Sequence, residues 1–391
     1  MGELIPLPSR PAAPGCPAPS WPRDRRLWWL LWAACPGLGW VSLRALEAHA
    51  GSLEAAWHTP LEELPPLPAG RRGLEQLDCF RRRWGGAPLE RWAQQLQGGR
   101  QVLLPGDGAW PSQLGALDRP PLALHWRGRG SLWPCLVRRQ AVAVVGTRRP
   151  SRHGLAMAEA LGRALAAAGW PVVSGLAEGI DAASHQGCLA AGGRPVGVLG
   201  TPLERVYPRH HGPLQRQVAA EGLLISEYPR GTPVRAGHFA LRNRLQVALA
   251  RAVVVVECPE RSGALHSARL AWRQQLPLWV VPADAARISA RGSNRLLGES
   301  ASVLLEPADL VAQLGAGPLA RSPSRPSSPA RPAPLPAAAD GDLLRALGEG
   351  ASLEQLCGQL RQPPSRLAPR LLALELAGLV RAEPGLHWRR I

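Results

Sequence analysis

The sequence predicts an α/β protein built on a doubly wound parallel sheet, and three observations carry this prediction. Short apolar runs alternate with helical patterns through the middle of the chain. The runs are rich in β-branched residues and nearly continuous, as in strands covered on both faces. The chain has 391 residues, 46% of them hydrophobic, which is enough for two or three domains and a sizeable core. Such alternation is typical of parallel sheets with helices on both sides.

Six strands and five helices are predicted in this central segment. The strands are expected at residues 141–145, 171–174, 195–199, 223–226, 252–256 and 277–281. The helices are expected near residues 153–168, 181–191, 213–221, 239–251 and 263–275. Because open parallel sheets bind ligands at the carboxyl ends of their strands, the loops at that edge are expected to carry the function.

The composition changes on both sides of the central domain, which we expect to span residues 99–314. Residues 1–22 are rich in proline and alanine and are expected to be a disordered extension. Residues 23–98 are expected to form a small helical domain, in which residues 36–39 (PGLG) form a helix-hairpin-helix turn or an ordinary corner. Residues 315–339 are expected to be a linker, since they are rich in Pro, Ala and Ser without acids. Residues 340–391 have the order of elements of a winged-helix domain.

Arginine supplies the whole positive charge of the chain. The formal net charge is +17, and the sequence contains no lysine. A Schiff-base lysine, a P-loop lysine and a kinase lysine are therefore excluded. Thirteen of the seventeen net charges lie upstream of the predicted linker. This surplus predicts a polyanionic partner, nucleic acid before an anionic membrane.

The cysteines predict neither a metal site nor a disulfide framework. The seven are widely scattered, and no C-x-x-C or C-x-x-H spacing occurs. A reducing cytoplasm fits this pattern best, and no cofactor is expected. The apolar run at residues 27–35 is too short to span a bilayer, so no membrane partner is expected.

The loop after the first predicted strand is a candidate anion site. Gly146 lets the backbone approach an anion, Thr147 supplies a hydroxyl, and Arg148 is able to donate two hydrogen bonds to a phosphate. The alternative is an ordinary strand–helix turn with solvated arginines. The loop is not G-x-G-x-x-G, and no acidic residue stands about 20 positions further on, so dinucleotide binding is disfavoured.

The second predicted strand ends in a glycine-rich loop that begins with Ser174 and Gly175. The glycines allow tight turning and close packing. Asp181 is expected to cap the following helix, and His185 is expected to pack inside the protein.

The helix predicted near residues 239–251 begins with aromatic and basic side chains. They are Phe239, Arg242, Asn243 and Arg244. Single-stranded nucleic acid is held in this way, because rings stack on bases while guanidinium groups neutralise phosphates. The alternative for Phe239 is core packing at a helix start. Ser262 and Gly263 open the next helix, whose first backbone N–H groups are free.

No catalytic set is predicted. The sequence has no G-x-S-x-G motif, no supported Ser–His–Asp arrangement and no obvious carboxylate pair. Glu227 and Glu257 end two predicted strands and are the carboxylates that an enzyme would use here.

Taken together, these motifs resemble the DNA-processing protein A family (DprA, also called Smf). The matching runs are VGTR from Val145, SGLAEGIDAASH from Ser174, LGTPLERVYP from Leu199, SEYPRGT from Ser226, FALRNR from Phe239, VVECPERSG from Val255 and VPA from Val281. Their order and spacing hold from Val145 to Ala283. Thr147 replaces the usual serine, and Leu241 replaces a basic residue, which is expected to weaken the anion pocket.

The resemblance implies an extended Rossmann-like domain, with residues 100–140 as the extension. It implies a protein that binds single-stranded DNA and helps to load the RecA recombinase during natural transformation. Dimerisation and contact with RecA are also implied. On this resemblance the strand-binding pocket is formed by Gly146, Thr147, Arg148, Phe239, Arg242, Asn243 and Arg244, to which we add Ser174, Gly175, Ser262 and Gly263 from the adjoining loops.

Three functions compete at this point. The first is a non-enzymatic single-stranded DNA binder that protects incoming DNA and mediates recombination. The second is a Rossmann-type hydrolase of nucleoside monophosphates that uses Glu227 or Glu257. The third is a sequence-specific transcription factor that acts through the winged helix.

Overall fold

The chain folds into two compact units, Met1–Ala320 and Arg321–Ile391, and each is described by itself. The computed structural model describes residues 21–67, 70–96, 101–320, 340–376, 378–383 and 387–391. The predicted extension lies outside these residues except for positions 21 and 22. Most of the predicted linker also lies outside them, but its first six residues (315–320) belong to the first unit.

The described part of the first unit begins with five α-helices around a tryptophan-rich core. They are α1 (Arg23–Ala33), α2 (Trp40–Ala50), α3 (Leu53–His58), α4 (Gly70–Trp84) and α5 (Pro88–Leu96). Gly37 makes the corner between α1 and α2 at φ +81°, a conformation that favours glycine. The Trp29 indole donates to the Leu122 carbonyl at 2.7 Å, and Arg26 pairs with Asp107. These contacts attach the helices to the segment that follows.

A nine-stranded sheet forms the centre of the first unit. Its strands are β1 (Gln101–Leu103), β2 (Leu124–Gly128), β3 (Val142–Val145), β4 (Val172–Ser174), β5 (Pro195–Leu199), β6 (Leu223–Ser226), β7 (Ala252–Val255), β8 (Leu278–Val280) and β9 (Ser302–Val303). Their order is β1-β2-β6-β5-β4-β3-β7-β8-β9. The seven strands from β6 to β9 in this order are parallel, whereas β1 and β2 are antiparallel at one edge. The predicted doubly wound sheet is confirmed, and the antiparallel pair lies in the segment expected to be its extension.

Helices cover both faces of this sheet. They are α6 (Trp133–Val137), α7 (Arg152–Ala167), α8 (Ile180–Ala190), α9 (Gly212–Glu221), α10 (Ala236–Ala248), α11 (Gly263–Arg273), α12 (Arg291–Leu297) and α13 (Pro307–Leu314). Alternate side chains of a strand point to opposite faces. Val142 and Val144 therefore pack in one core with α7, α8 and α13, while Ala143 and Val145 pack in another with α10, α11 and α12.

The second unit is a winged-helix domain, as expected. Its elements are α14 (Gly341–Leu347), β10 (Ala351–Ser352), α15 (Leu353–Leu360), α16 (Pro364–Leu376), β11 (Val380–Glu383) and β12 (His387–Arg390). The three strands form one antiparallel sheet in the order β10-β12-β11. Leu356, Leu367 and Leu371 are fully buried in its core. None of the described helices of the chain is long and apolar enough to cross a membrane.

Candidate nucleic-acid interface

A crevice opens where the strand order of the sheet reverses. β3 lies between β4 and β7, and the helices that follow β3 and β7 cover opposite faces. The loops after these two strands therefore diverge, which is the geometry of ligand sites in doubly wound sheets. A cavity of about 420 Å³ lies here, lined by both loops and by α10.

Backbone contacts fix the loop after β3. A Cβ at Gly146 would lie 2.5 Å from Ile180 Cγ1 and 2.9 Å from the Glu257 carbonyl oxygen, so the close approach requires glycine. The Thr147 amide donates to the same carbonyl oxygen at 2.7 Å. The Arg149 amide donates to Thr147 Oγ1 at 3.2 Å. The loop is therefore held against its neighbours while its arginine side chains stay exposed.

An aromatic wall stands beside these arginines. The Arg148 guanidinium carbon lies 5.4 Å from the centre of the Phe239 ring, within the range of a cation–π contact. The Tyr207 ring centre lies 4.7 Å from that of Phe239, and Tyr207 is 43% exposed. Phe239 is half-buried and belongs to none of the apolar clusters formed by the described residues. The ring is therefore available at the cavity surface.

Three exposed arginines give the cavity its charge. Arg148, Arg149 and Arg261 all line it. In the part of the chain that the structure describes, none of the three forms an ion pair with a carboxylate. Their charge is thus free to meet an anionic ligand.

Arg242 also lines the cavity, but it is 4% exposed. Its Nη1 donates to the Val198 carbonyl at 2.5 Å, and a Cβ at Gly175 would overlap its guanidinium. Burial lowers the pKa of Arg242, an effect that the Asp181 carboxylate opposes. Burial likewise raises the pKa of Asp181, against the charge of Arg242. Both groups lie in the wall of the cavity, and the charge of each offsets part of the cost of burying the other.

Asp181 does not cap α8 as predicted. The helix begins at Ile180, its cap residue is Gly179, and no side chain caps that end. The Asp181 carboxylate instead accepts a hydrogen bond from the Gly175 amide at 3.0 Å, inside the loop after β4. His185 is fully buried, as expected, and burial lowers its pKa to about 3.

Three of the predicted residues do not line the cavity, namely Ser174, Gly175 and Arg244. The Ser174 hydroxyl is buried and donates to the Val144 carbonyl at 2.7 Å. Arg244 pairs with Glu227 at 2.6 Å and donates from Nε to the Arg119 carbonyl at 2.9 Å. A direct role of these three residues in DNA binding stays a prediction.

The structure brings the other eight predicted residues together around the cavity. They are Gly146, Thr147, Arg148, Phe239, Arg242, Asn243, Ser262 and Gly263. Asn243 Nδ2 donates to the Gly263 carbonyl at 3.3 Å, so α10 and the start of α11 are joined there. The sequence reasoning missed Tyr207 and Arg261. Their positions in the sequence could have indicated them, since Tyr207 follows β5 and Arg261 follows β7, and these parallel strands end at the same edge of the sheet.

Neither carboxylate considered for catalysis lines the cavity. Glu227 forms an ion pair with Arg244. Glu257 is 1% exposed and accepts hydrogen bonds from Ser151 and Ser289. No group of three or more His, Cys, Asp or Glu among the described residues is arranged to hold a metal ion.

This fold and crevice define a Rossmann-like protein with a basic, aromatic-walled site at the switch point of its sheet. Residues 101–315 match the family of the DNA recombination-mediator protein A, and residues 326–385 match the DprA winged helix domain. The chain belongs to this family, which confirms the resemblance that the motifs indicated.

Individual members of the family are similar in sequence to most of this chain. The Protein Smf of Synechocystis is 32% identical over 94% of this chain and 99% of its own length. A putative DNA processing protein DprA of Mycobacterium tuberculosis is 35% identical over 75% of this chain and 78% of its own. The crystal structure of DprA from Streptococcus pneumoniae covers 74% of this chain and 97% of its own, with a TM-score of 0.61 at 24% identity. This last likeness shows the fold.

Proposed function

We propose that this protein binds single-stranded DNA in the crevice between β3 and β7 and performs no chemistry on it. The observation that carries the proposal is the Phe239 ring, flanked by Tyr207 and Arg148 at the wall of the cavity. Bases stack on such rings when they are unpaired, and guanidinium groups neutralise the phosphates between them. Arg149 and Arg261 add unpaired charge at the same cavity.

The biological role that we propose follows from the family. A DNA recombination mediator that holds single strands would protect incoming DNA and help to load the RecA recombinase during natural transformation, in the cytoplasm. We further propose that it works as a homodimer. Membership of the family supports these steps, and the charge surplus upstream of the winged helix supports a DNA surface on the first unit.

A hydrolase is the weaker alternative. Such an enzyme would need a carboxylate that faces the bound nucleotide. Glu227 and Glu257 both have other partners and do not line the cavity. Release of base or phosphate from nucleoside monophosphates by the pure protein, lost in Glu257→Gln, would favour this alternative.

The proposal is tested by titrating a labelled oligonucleotide at several salt concentrations. Single strands should bind more tightly than blunt duplex, because stacking needs unpaired bases. Log affinity should fall linearly with log salt, by about 0.7 per phosphate contacted. Equal affinity for single strand and duplex at every salt concentration would overturn the stacking site.

The variant Arg148→Ala tests whether single-stranded DNA binds at the cavity between β3 and β7. The variant should weaken binding of all oligonucleotides alike and make the salt slope shallower by about 0.7. Arg163→Ala is the matched control, since Arg163 is also exposed but pairs with Glu159 on α7, away from the cavity. It should leave both affinity and slope unchanged.

A further inference from the structure

The buried carboxylate of Glu257 lies at the amino-terminal end of α7, where it contacts the cap residue Ser151. Its Oε2 accepts from the Ser151 amide at 3.1 Å and from the Ser151 hydroxyl at 2.7 Å. Its Oε1 accepts from the Ser289 hydroxyl at 2.5 Å. A Cβ at Gly154 would overlap Oε2, so glycine in the first turn of the helix makes room for the carboxylate.

This is the position in which a helix amino terminus binds an anion. Free N–H groups and the helix dipole favour negative charge there, and in doubly wound folds a ligand phosphate takes that place. In this protein the Glu257 side chain, in the loop after β7, supplies the negative charge instead. The phosphates of a bound strand must therefore be met by other groups, and Arg148 and Arg149, in the loop that leads into α7, are the arginines of this region that line the cavity.

The same residue holds both ends of the loop that carries those arginines. The Glu257 carbonyl oxygen accepts from the Thr147 amide at 2.7 Å, at the start of the loop. The Glu257 carboxylate binds Ser151 at its end. Arg148 and Arg149 lie between these two anchors.

We propose that Glu257 is a positioning residue for strand binding, which acts by fixing the loop at residues 146–151 so that Arg148 meets the phosphate backbone. Glu257 itself contacts no DNA. The inference rests on the proposed function, in which Arg148 binds a phosphate.

Whether Glu257→Ala weakens or tightens single-strand binding distinguishes a positioning role of Glu257 from a purely electrostatic one. Removing a negative charge close to a phosphate site would by Coulomb interaction alone tighten binding. Positioning predicts the opposite result. In Glu257→Ala we expect affinity for single strands to fall about tenfold, the scale of one lost hydrogen bond to a charged group. The salt slope should become shallower by about 0.7, as when Arg148 is removed.

Acetate provides a readout that a general structural defect would not give. Glu257→Ala deletes a CH₂–COO⁻ group, and acetate carries the same carboxylate. Replacing chloride by acetate at constant ionic strength should restore most of the affinity of this variant. The wild type measured in the same two buffers gives the general effect of the anion, and the gain of the variant should exceed it. Glu260→Ala is the matched control, because this nearby carboxylate is exposed and pairs with Arg295.

A double-mutant cycle with Arg148→Ala completes the test. If Glu257 acts through Arg148, Glu257→Ala should cause little further loss in the Arg148→Ala background. Wild-type or tighter binding by folded Glu257→Ala, or full additivity of the two losses, would overturn the inference. If Arg148→Ala binds like the wild type, it is the proposed function that fails.

Ser289→Ala covers the case in which Glu257→Ala does not fold. It removes one hydrogen bond to the carboxylate from a residue outside the loop. We expect a smaller loss of affinity in the same direction, again with a shallower salt slope. Unchanged affinity and slope in this variant would count against positioning by Glu257.

Discussion

The crevice has an exposed rim and a buried layer beneath it, and both contain arginines. The arginines of the rim are solvated, whereas those of the buried layer are shielded from water. The rim consists of the exposed Arg148, Arg149 and Arg261 with the half-buried Phe239, and the buried layer consists of Asp181, His185, Arg242 and Arg244 with Glu227, whose side chain is 11% exposed. The rim arginines form no ion pair among the described residues, whereas Arg244 is paired with Glu227. The loops after β3 and β7 thus supply the arginines of the ligand surface, whereas Arg242 and Arg244 of α10 lie in the layer beneath it.

The difference follows from the cost of burying charge. A guanidinium group that leaves water without a partner is strongly destabilising, so a buried arginine must be paired and hydrogen-bonded. A solvated arginine keeps its charge at little cost and gives up its counterions when a phosphate arrives. Changes in the buried layer should therefore act on stability, and changes in the rim on DNA binding.

Arg244→Ala should have the largest effect. The substitution leaves the largely buried Glu227 without its counter-charge, and breaking a buried ion pair in this way costs up to about 3–5 kcal/mol. Chemical denaturation of the variant measures this loss. Arg149→Ala on the rim is the control and should stay within about 0.5 kcal/mol of the wild type. If Arg244→Ala is as stable as the wild type but has a shallower salt slope, Arg244 belongs with the rim.

Phe239→Ala tests the aromatic part of the rim. Loss of one base–aromatic stack should weaken single-strand binding by about 1–3 kcal/mol and leave the salt slope unchanged. Phe239→Leu keeps apolar bulk but has no ring, so it should lose similar affinity and retain its melting temperature. Affinity and melting should be measured on the same preparation. Wild-type affinity in Phe239→Leu would remove the ring from the site.

The strands and the crevice loops were predictable because their signals are local. Near-continuous apolar runs marked β5 and β6 to the residue, and Gly146 with Arg148 marked the anion loop. The burial of Arg242 was not predictable from local signals, since its guanidinium donates to the Val198 carbonyl, 44 positions away in the sequence. Asp181 was misassigned although its partner, Gly175, is only six positions away in the sequence. Its carboxylate bonds to the loop before its helix, where spacing alone suggested a cap.

His185 gives the buried layer a pH signature. Burial lowers the pKa of His185 from 6.5 to about 3. Below pH 6.5 the unfolded chain therefore takes up a proton that the folded protein does not, and stability falls as the pH is lowered. Between pH 7 and pH 5 this residue should account for a loss of about 2 kcal/mol.

His185→Leu isolates this contribution from those of the other histidines. Denaturant midpoints measured from pH 7 to pH 5 should fall less in the variant than in the wild type. Its affinity for single strands at pH 7 should be unchanged, because the substitution lies outside the rim. Parallel pH profiles of the two proteins would show that His185 does not govern the acid sensitivity.

The smallest effect is expected from deleting residues 321–391. This truncation removes the winged helix and only four of the seventeen net positive charges of the chain. The exposed rim is untouched, so affinity for single strands and the salt slope should stay close to those of the full chain. The full chain and the truncated protein should be titrated side by side with the same oligonucleotide and with a duplex of the same sequence. If single-strand binding is lost, the rim is not the principal site. If only a defined duplex footprint is lost, the winged helix reads sequence, because such domains insert a helix into the major groove of paired DNA.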